Sequence, residues 1–538
     1  MRDEKRAKYL NIIIYFSLSL ITFFYFLMGH RFFLHRGIYD EGLVIYGATR
    51  ILNGDIPYRD FWTLYAPATF YLLAGVFKIF GTSIIVERIL SVIIHTLIVI
   101  PVCFIIKSFV PKRYILLAWL LTLAWLRTML FYSYGYSYAV LPATLFVLLS
   151  CLTLKHYFLM RRRKWLIISG VFVGIVALFR QDFGFYTFIS EYLVIFIFIY
   201  NNLDKKAKVK TLVAIRESLF YLFGNFIIIF PIIFYFIFNS AIFSLFRNAI
   251  IFPLTVYPKV RAIPFPKLSL ASTIFYFPIF VFIITLAILI RDSFSKIFSQ
   301  GNRYLMILFL FLGFTFLNYP FMRAHIRYLL PCELFAIILF IFLSYIFTQK
   351  IFFKQSIFYR FSVYNLVLVV TIFLFIFPAI LETKQYIISR KKFITSKLSL
   401  NRNRGCYDWE ENILYQQDAI KYIQQYVEPE KHIFIGNLRH DRVVYNDIMF
   451  YFLSERHSAT KYYELHPGLT TTEEIQKKII DEIKKHNVRY IVLWGGSETV
   501  IEPNQSNKSS GVFLLDNFIH KKYKIEKTFG KYLILRHI

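Results

Sequence analysis

Acidic residues are scarce in most of this chain. Only 13 of its 32 Asp and Glu residues lie among the first 381 positions of a 538-residue sequence. Cysteine is rarer still, with 4 in the whole chain, and Cys406 is the one outside the apolar stretches. Such isolated cysteines exclude a disulfide framework and a cysteine-based metal site. The few carboxylates of the apolar part are therefore the first candidates for chemistry.

Long polar stretches are also missing before residue 382. Hydrophobic residues make up 57% of the chain and aromatic residues 20%, which is more than a soluble core can hide. Eleven apolar stretches are long enough to cross a hydrocarbon core about 30 Å thick. They centre on residues 9–28, 88–106, 114–132, 138–158, 165–179, 183–200, 217–238, 271–290, 304–319, 331–348 and 362–381. This pattern predicts a polytopic α-helical membrane protein with about eleven spans.

Basic residues are concentrated in alternate connections between these spans, for example at 161–164 and 205–210. The positive-inside rule makes those connections cytoplasmic, together with the N-terminus. An odd number of spans then puts the first long loop, 30–87, and the residues after 381 on the external face. Because Phe, Tyr and Ile dominate the spans, which is typical of A/T-rich prokaryotic genomes, we expect a prokaryotic inner membrane.

The last part of the chain has a different character, so we divide the protein into a membrane domain, 1–381, and an external soluble domain, 382–538. Short apolar runs at 432–435, 489–493 and 532–535 predict buried strands, and 472–486 predicts an amphipathic helix begun by capping threonines. A small α/β domain is expected. It carries 25 basic and 19 acidic residues, so the net charge of +30 is largely a feature of membrane topology and does not imply nucleic acid.

Loop 30–87 is the richest segment of the membrane domain. Residues 42–52 have the spacing of an interfacial helix lying on the membrane, and 66–80 fits a second short helix. With this topology, Glu191 lies inside a span and seven acids lie at the external face. These seven are Asp40, Glu41, Asp55, Asp60, Glu87, Asp182 and Glu333.

Arginines lie at the same predicted face as these acids: Arg59, Arg127, Arg180, Arg323 and Arg327, with His325 beside them. Guanidinium groups match the geometry of phosphate oxygens. Carboxylates and arginines at one membrane face therefore predict a site for an anionic, phosphorylated, lipid-linked ligand.

Several motifs together resemble a known family. They are Tyr39-Asp40-Glu41-Gly42 after the first span, Gly54-Asp55-Ile56-Pro57-Tyr58-Arg59-Asp60-Phe61, the segment 67–81, Glu87-Arg88-Ile89-Leu90, and Arg323-Ala324-His325-Ile326-Arg327-Tyr328-Leu329-Leu330-Pro331. As a set they resemble the C-type glycosyltransferases that use polyprenyl-phosphate sugars, especially the branch of protein O-mannosyltransferases and bacterial lipid A and core-sugar transferases.

The resemblance implies a membrane enzyme that transfers a sugar with inversion from a polyprenyl-phosphate donor to a glycolipid, polysaccharide or protein hydroxyl. It implies that Asp40 acts as general base, with Glu41 orienting it or contacting the acceptor. Phosphate contacts are expected from Arg127, Arg180, Arg323 and Arg327. Substrate contacts are expected from Arg59, Asp60, Asp182 and Tyr328. Partners would be the lipid-linked sugar, its acceptor and membrane lipids.

The sequence identifies no cofactor. Relatives that use a pyrophosphate carrier hold a metal with a second acidic motif, and no such motif is clear here, although a divalent metal stays open. The spacing of His440, Asp441, His457 and His466 matches no metal-ligand pattern.

Other interpretations remain. Asp40 and Glu41 could be a solvated pair or a helix cap, Arg127 could snorkel to the interface, and Arg180 and Asp182 could simply pair. A transporter or flippase of a lipid-linked or anionic solute would instead place charges at mid-membrane, with internal symmetry. A non-catalytic assembly subunit is a further alternative.

Overall fold

The computed structural model describes residues 2–29, 38–132, 137–203, 206–269, 272–291, 300–350, 384, 399–406 and 411–538. The predicted span at 362–381 and the domain boundary at 381/382 lie outside these residues. The helices before residue 351 are α1 (Arg2–Gly29), α2 (Asp40–Leu52), α3 (Ala68–Phe80), α4 (Ile84–Phe109), α5 (Tyr114–Tyr132), α6 (Ser137–Met160), α7 (Lys164–Phe179), α8 (Gln181–Asn201), α9 (Ala207–Phe238), α10 (Ile242–Phe246), α11 (Phe252–Thr255), α12 (Tyr257–Arg261), α13 (Thr273–Ile290), α14 (Gln300–Phe316), α15 (Asn318–Met322) and α16 (Ile326–Lys350).

Ten of these helices match ten predicted spans: α1, α4 to α9, α13, α14 and α16. Within the described residues, 7 helical segments are long and apolar enough to cross a membrane unaided. The described apolar parts of α1, α5 and α7 are shorter. The prediction of a polytopic α-helical membrane protein is confirmed.

Small residues let α7 and α9 approach closely. A Cβ atom added at Gly170 would lie 2.1 Å from the Tyr221 carbonyl oxygen, and one at Gly224 would lie 2.1 Å from that of Ile167. Lipid tails are as apolar as the helices, so the hydrophobic effect does not drive helices together inside a membrane. Helices there associate through close backbone packing of this kind.

Glu191 lies in the same part of the bundle. Its two carboxylate oxygens accept hydrogen bonds from the hydroxyls of Ser150 at 2.5 Å and Ser169 at 2.8 Å. These two serines, on α6 and α7, are the buried partners that an acid inside a span requires.

The two short helices of loop 30–87 form as predicted, but α2 differs in its surroundings. All residues from Glu41 to Thr49 are buried, because the C-terminal domain covers the helix. The interpretation of α2 as a helix lying on the membrane surface is therefore incomplete. It is an internal element between the bundle and the second domain.

The C-terminal domain is a five-stranded sheet with the order β2-β1-β3-β5-β4. Its elements are α17 (Glu411–Tyr426), β1 (His432–Asn437), α18 (Met449–Ser454), β2 (His457–Ser458), α19 (Glu473–Lys485), β3 (Tyr490–Trp494), α20 (Leu514–Lys522), β4 (Tyr523–Phe529) and β5 (Tyr532–His537). Strand β1 is parallel to β2 and β3, and β5 is antiparallel to β3 and β4. The predicted small α/β domain and its three buried strands are confirmed.

The predicted cap of α19 is wrong in its detail. Thr472 occupies the N-cap position, but its hydroxyl donates a hydrogen bond to the Leu469 carbonyl at 2.7 Å and caps no helical N–H. The hydroxyl donates to the preceding turn. A sequence pattern cannot distinguish this use of a threonine from a cap.

The two parts of the chain are joined by direct contacts. The Met449 N–H donates to the Ile38 carbonyl at 2.9 Å, and the Ser458 N–H donates to the Tyr46 hydroxyl at 2.7 Å. The Lys461 ammonium group donates a hydrogen bond to the Tyr58 carbonyl at 2.6 Å. Apolar residues of α2, α3, α17 and α18 belong to one continuous core. The C-terminal domain is therefore packed firmly on loop 30–87.

We predict that Gly42→Ala loosens this junction. A Cβ atom at Gly42 would lie 2.6 Å from the Met449 backbone nitrogen, which cannot move without shifting α18. Overpacking of this kind typically costs about 1–3 kcal/mol. Thermal unfolding in detergent should show a lower midpoint than wild type. Gly75→Ala is the matched control, because a Cβ there meets nothing within 4 Å. Equal midpoints for both variants would contradict the prediction.

Candidate functional site

Asp40 is the first residue of α2. Its Oδ2 accepts a hydrogen bond from Arg327 Nη1, in the first turn of α16, at 3.2 Å. The Asp40 side chain is 23% exposed and that of Arg327 is 36% exposed, so both remain accessible. A carboxylate at a helix N-terminus is favoured by the unsatisfied N–H groups there. The site therefore presents an accessible carboxylate held beside a guanidinium group.

Glu41 has a different environment from its neighbour. Both of its oxygens accept hydrogen bonds from Arg88, from Nε at 2.7 Å and from Nη2 at 2.8 Å. The exposed fractions of these side chains are 0% for Glu41 and 1% for Arg88. The expectation that Glu41 contacts an acceptor needs correction, since a buried carboxylate held at both oxygens cannot reach one. Successive helical residues point about 100° apart, which separates the two acids.

Two further arginines meet at one carboxylate. Arg261 Nη1 donates to Glu502 Oε2 at 2.8 Å, and Arg323 Nη2 donates to Glu502 Oε1 at 2.9 Å. A short backbone bridge between Ile263 and Arg323 holds the two arginine segments side by side. Burial alone would raise the pKa of Glu502, but Arg261 and Arg323 lower it below its ordinary value.

Two tyrosines line the same place. Arg323 Nη1 donates to the hydroxyls of Tyr257 at 3.2 Å and Tyr328 at 3.1 Å, and these hydroxyls lie 2.5 Å apart. Tyr328, predicted to contact substrate, is thus part of the arginine site. We call Arg261, Arg323 and Arg327 the arginine cluster.

The arginine cluster has donors to spare. The Nε atoms of Arg261, Arg323 and Arg327 are buried and have no hydrogen-bond partner. The same is true of Arg127 Nε on α5. Buried donors left unsatisfied are costly, and guanidinium N–H groups suit phosphate oxygens. The cluster therefore fits an anionic group with several oxygens.

Arg180 and Asp182 form an ion pair. Arg180 donates to both Asp182 oxygens, from Nε at 2.9 Å and from Nη2 at 2.5 Å. The guanidinium also lies over the rings of Phe183 and Tyr319. The interpretation of these two residues as partners is thus supported. It does not remove them from the site, because Arg180 also interacts electrostatically with Tyr328.

Arg59 and Asp60 form a turn of their own. Arg59 donates to both oxygens of Asp60, at 2.9 and 2.8 Å, and the Ile56 N–H donates to Asp60 at 2.7 Å. Their contacts stabilise the loop after α2.

Sequence reasoning missed Glu464, which the C-terminal domain contributes. The Tyr39 hydroxyl donates to Glu464 Oε1 at 2.9 Å, and Oε2 is buried without a partner. Burial raises the pKa of Glu464 to about 8, the Asp40 charge adds to the effect, and Tyr39 and Arg261 oppose it. Glu464 lies in the segment 462–468, which is rich in aromatic residues, but nothing in the sequence indicates that this segment contacts residue 39.

Arg261 and Glu502 were missed for the same reason. Arg261 ends the short helix α12, and Glu502 begins a polar segment that reads as a simple loop. The histidines and the aspartate considered as metal ligands have other partners: His440 pairs with Asp516, Asp441 with Arg439, and His466 is buried against Trp62. The described residues contain no group of three or more His, Cys, Asp or Glu able to hold a metal ion.

Comparison with known proteins identifies the fold. No protein-family model and no curated protein matches the sequence. ArnT from Cupriavidus metallidurans, solved bound to undecaprenyl phosphate, has a TM-score of 0.52 at 11% identity, covering 98% of both chains. The archaeal oligosaccharyltransferase AglB from Archaeoglobus fulgidus, solved with an inhibitory peptide and a dolichol-phosphate, has a TM-score of 0.52 at 12% identity, covering 90% of this chain and 70% of that one. The chain has the C-type glycosyltransferase fold.

We predict that Glu41→Gln lowers the stability of the protein and that Asp40→Asn does not. Breaking a buried ion pair costs about 3–5 kcal/mol, because the remaining charge stays buried. Glu41→Gln should therefore lower the thermal unfolding midpoint clearly, whereas Asp40→Asn, the adjacent change of the same charge, should leave it near wild type. A Glu41→Gln protein as stable as wild type would contradict a structural role for this residue.

We also predict a pH dependence of stability due to Glu464. Its pKa rises from the ordinary 4.5 to about 8 in the folded protein, so folding favours its protonated form. The contribution is complete below pH 4.5 and is lost as the pH rises through about 8. Unfolding midpoints measured across this interval should fall less steeply for Glu464→Gln than for wild type. Parallel curves for the two proteins would rule out this contribution.

Proposed function

We propose that this protein is an inverting glycosyltransferase that moves a sugar from a polyprenyl-phosphate donor to an acceptor hydroxyl. The observation that carries the proposal is the accessible Asp40 carboxylate, 3.2 Å from an arginine whose buried Nε has no partner. A base and a phosphate-binding cation are thus adjacent, in a C-type glycosyltransferase fold. The relatives solved with dolichol-phosphate and undecaprenyl phosphate support a lipid-phosphate carrier.

In the proposed mechanism, Asp40 accepts the proton of the acceptor hydroxyl as its oxygen attacks the anomeric carbon of the donor. The bond between that carbon and the phosphate oxygen breaks, and the lipid phosphate leaves with the electron pair. Arg323 and Arg327 stabilise the charge that develops on it. Attack opposite the leaving group inverts the anomeric centre. A positioned base typically contributes about 10²–10⁴-fold in rate.

Other predicted residues have unequal support. Tyr328 touches Arg323, and Arg180 lies close enough to act on Tyr328, so we assign both to the donor side, with Asp182 holding Arg180. Arg127 has a buried donor without a partner and is proposed as a further phosphate contact. Glu41 supports the site through Arg88. The turn formed by Arg59 and Asp60 is left outside it.

We propose that the site faces the external side of a prokaryotic inner membrane, with the N-terminus in the cytoplasm. Helix α7 runs from the basic turn at 161–164 to Arg180, and its 16 residues separate those ends by about 24 Å. The basic connection is therefore opposite the proposed site, as the positive-inside rule requires.

Reporter fusions check this orientation. Alkaline phosphatase fused after Ile538 should be active, because it folds on the external side, and green fluorescent protein at the same position should be dark. The reverse pattern would place the proposed site in the cytoplasm and contradict the assignment.

The transfer assay compares wild type with Asp40→Asn in membranes supplied with a panel of radiolabelled polyprenyl-phosphate sugars. The variant should release label about 10²–10⁴ times more slowly, because the base is lost. Asp481→Asn, an exposed change on α19, is the matched control and should behave as wild type. Since guanidinium groups supply the positive charge beside Asp40, we expect EDTA to leave the rate unchanged.

Transfer by Asp40→Asn at the wild-type rate would contradict the assignment of the base. Transfer abolished by EDTA and restored by a divalent ion would contradict the proposal that arginines alone stabilise the leaving phosphate. Absence of transfer by wild type from every carrier would favour transport or assembly roles.

A further inference from the structure

Glu502 belongs to the C-terminal domain, but both of its oxygens bind arginines that precede residue 351. One oxygen accepts from Arg261 at 2.8 Å and the other from Arg323 at 2.9 Å. The two guanidinium groups, which are the best-buried members of the arginine cluster, thus converge on a single carboxylate. A carboxylate bridging two arginines occupies the position that a phosphate would take between them.

The fit of Glu502 to these arginines is incomplete. After both oxygens have been used, Arg261 Nε and Arg323 Nε are still buried without a partner. The carrier phosphate, which becomes a monoester when the sugar has been transferred, offers three strong acceptor oxygens where a carboxylate offers two. A phosphate group could therefore satisfy donors that Glu502 leaves unsatisfied.

We propose that Glu502 is an internal substitute for the phosphate of the lipid carrier, and that a polyprenyl phosphate displaces it from Arg261 and Arg323. This inference rests on the proposed function and extends the phosphate site to Arg261. It also gives the C-terminal domain a role, because the loop that carries Glu502 reports whether the carrier phosphate is bound.

Three features of the loop that carries Glu502 would allow its contact with Arg261 and Arg323 to break. Between β3 and α20, its one regular element in the described structure is a single 3-10 turn, Gln505–Asn507. Ile501 is already 83% exposed, so moving the loop tip uncovers little apolar surface. Asn504 donates to Glu502 at 2.8 Å and Ser506 donates to Asn504, so the tip holds its own shape. It can therefore leave as a unit.

Release of Glu502 and binding of the phosphate are coupled by the charge of the two arginines. If Glu502 left without a replacement, Arg261 and Arg323 would remain as buried, uncompensated cations, which is strongly unfavourable. An incoming phosphate removes that cost. The loop is therefore expected to stay in place until the carrier phosphate occupies the arginines, and to be released when it does.

The test measures binding of undecaprenyl phosphate to the full chain in lipid nanodiscs. Glu502→Gln should bind it about tenfold more tightly than wild type if the closed ion pair outnumbers the open state roughly ten to one. The matched control is Glu498→Gln, which removes the same charge from the same loop. In wild type, Glu498 pairs with Arg442 at 2.9 Å. The control variant should bind as wild type does.

Inorganic phosphate is the second probe, because the arginines would accept it equally well. Because Glu502 would compete with the phosphate group of either ligand, Glu502→Gln should tighten both by a similar factor, and tighter binding of undecaprenyl phosphate than of inorganic phosphate supports a lipid carrier. Tightening confined to inorganic phosphate would overturn it.

A measurement on wild type covers the case in which Glu502→Gln fails to fold. Hydrogen–deuterium exchange of residues 497–508 should rise when undecaprenyl phosphate is added, because the loop tip is released. Wild-type binding with unchanged exchange, or with equal or weaker binding by Glu502→Gln, would overturn this inference alone and make Glu502 a fixed partner that orients the arginines. No binding of undecaprenyl phosphate by wild type would overturn the proposed function as well.

Discussion

The buried ion pair between Glu41 and Arg88 fixes where α2 begins, and the direction of Asp40 follows from that. The pair joins the first turn of α2 to the N-terminal part of α4, and both side chains are buried. On another side of the helix, Gly42 lies against the backbone of Met449. Because the ion pair fixes Glu41 and the close contact fixes Gly42, the Asp40 side chain is directed toward Arg327.

The same logic of compensated charge explains why the site is shared by both parts of the chain. Buried guanidinium groups need anionic partners, and the part before residue 351 supplies few acids. The C-terminal domain supplies Glu502 to Arg261 and Arg323, and it places Glu464 beside Tyr39. A carrier phosphate that took the place of Glu502 would exchange one anion for another between Arg261 and Arg323.

Sequence predicted the elements that depend on local pattern. Apolar runs gave ten of the helices, because the length needed to cross a membrane is fixed, and the three most apolar strands were found for a similar reason. Strand β4 was missed because Lys524, Glu526 and Lys527 give it the composition of a surface segment. Strand β2 has only 2 residues, too few for any pattern.

The site was predictable only in part. The acidic pair, Arg323 after α15 and Arg327 at the start of α16 were visible as charges in an apolar chain. The different roles of Asp40 and Glu41 were not, because adjacent acids differ only in the direction they take from one helix. Glu464 and Glu502 lie more than 170 positions from their partners, and no local rule connects them. The serines that satisfy Glu191 carry no charge and so gave no signal.

The central claim is that a lipid phosphate and Asp40 share one site, and a cryo-EM structure with undecaprenyl phosphate in nanodiscs tests it most directly. The predicted result is a phosphate within hydrogen-bonding distance of Arg323 and Arg327, on the side of Arg327 that faces Asp40. A phosphate bound away from this cluster, for example at the basic turn 161–164, with the arginines and Asp40 unchanged, would contradict the claim.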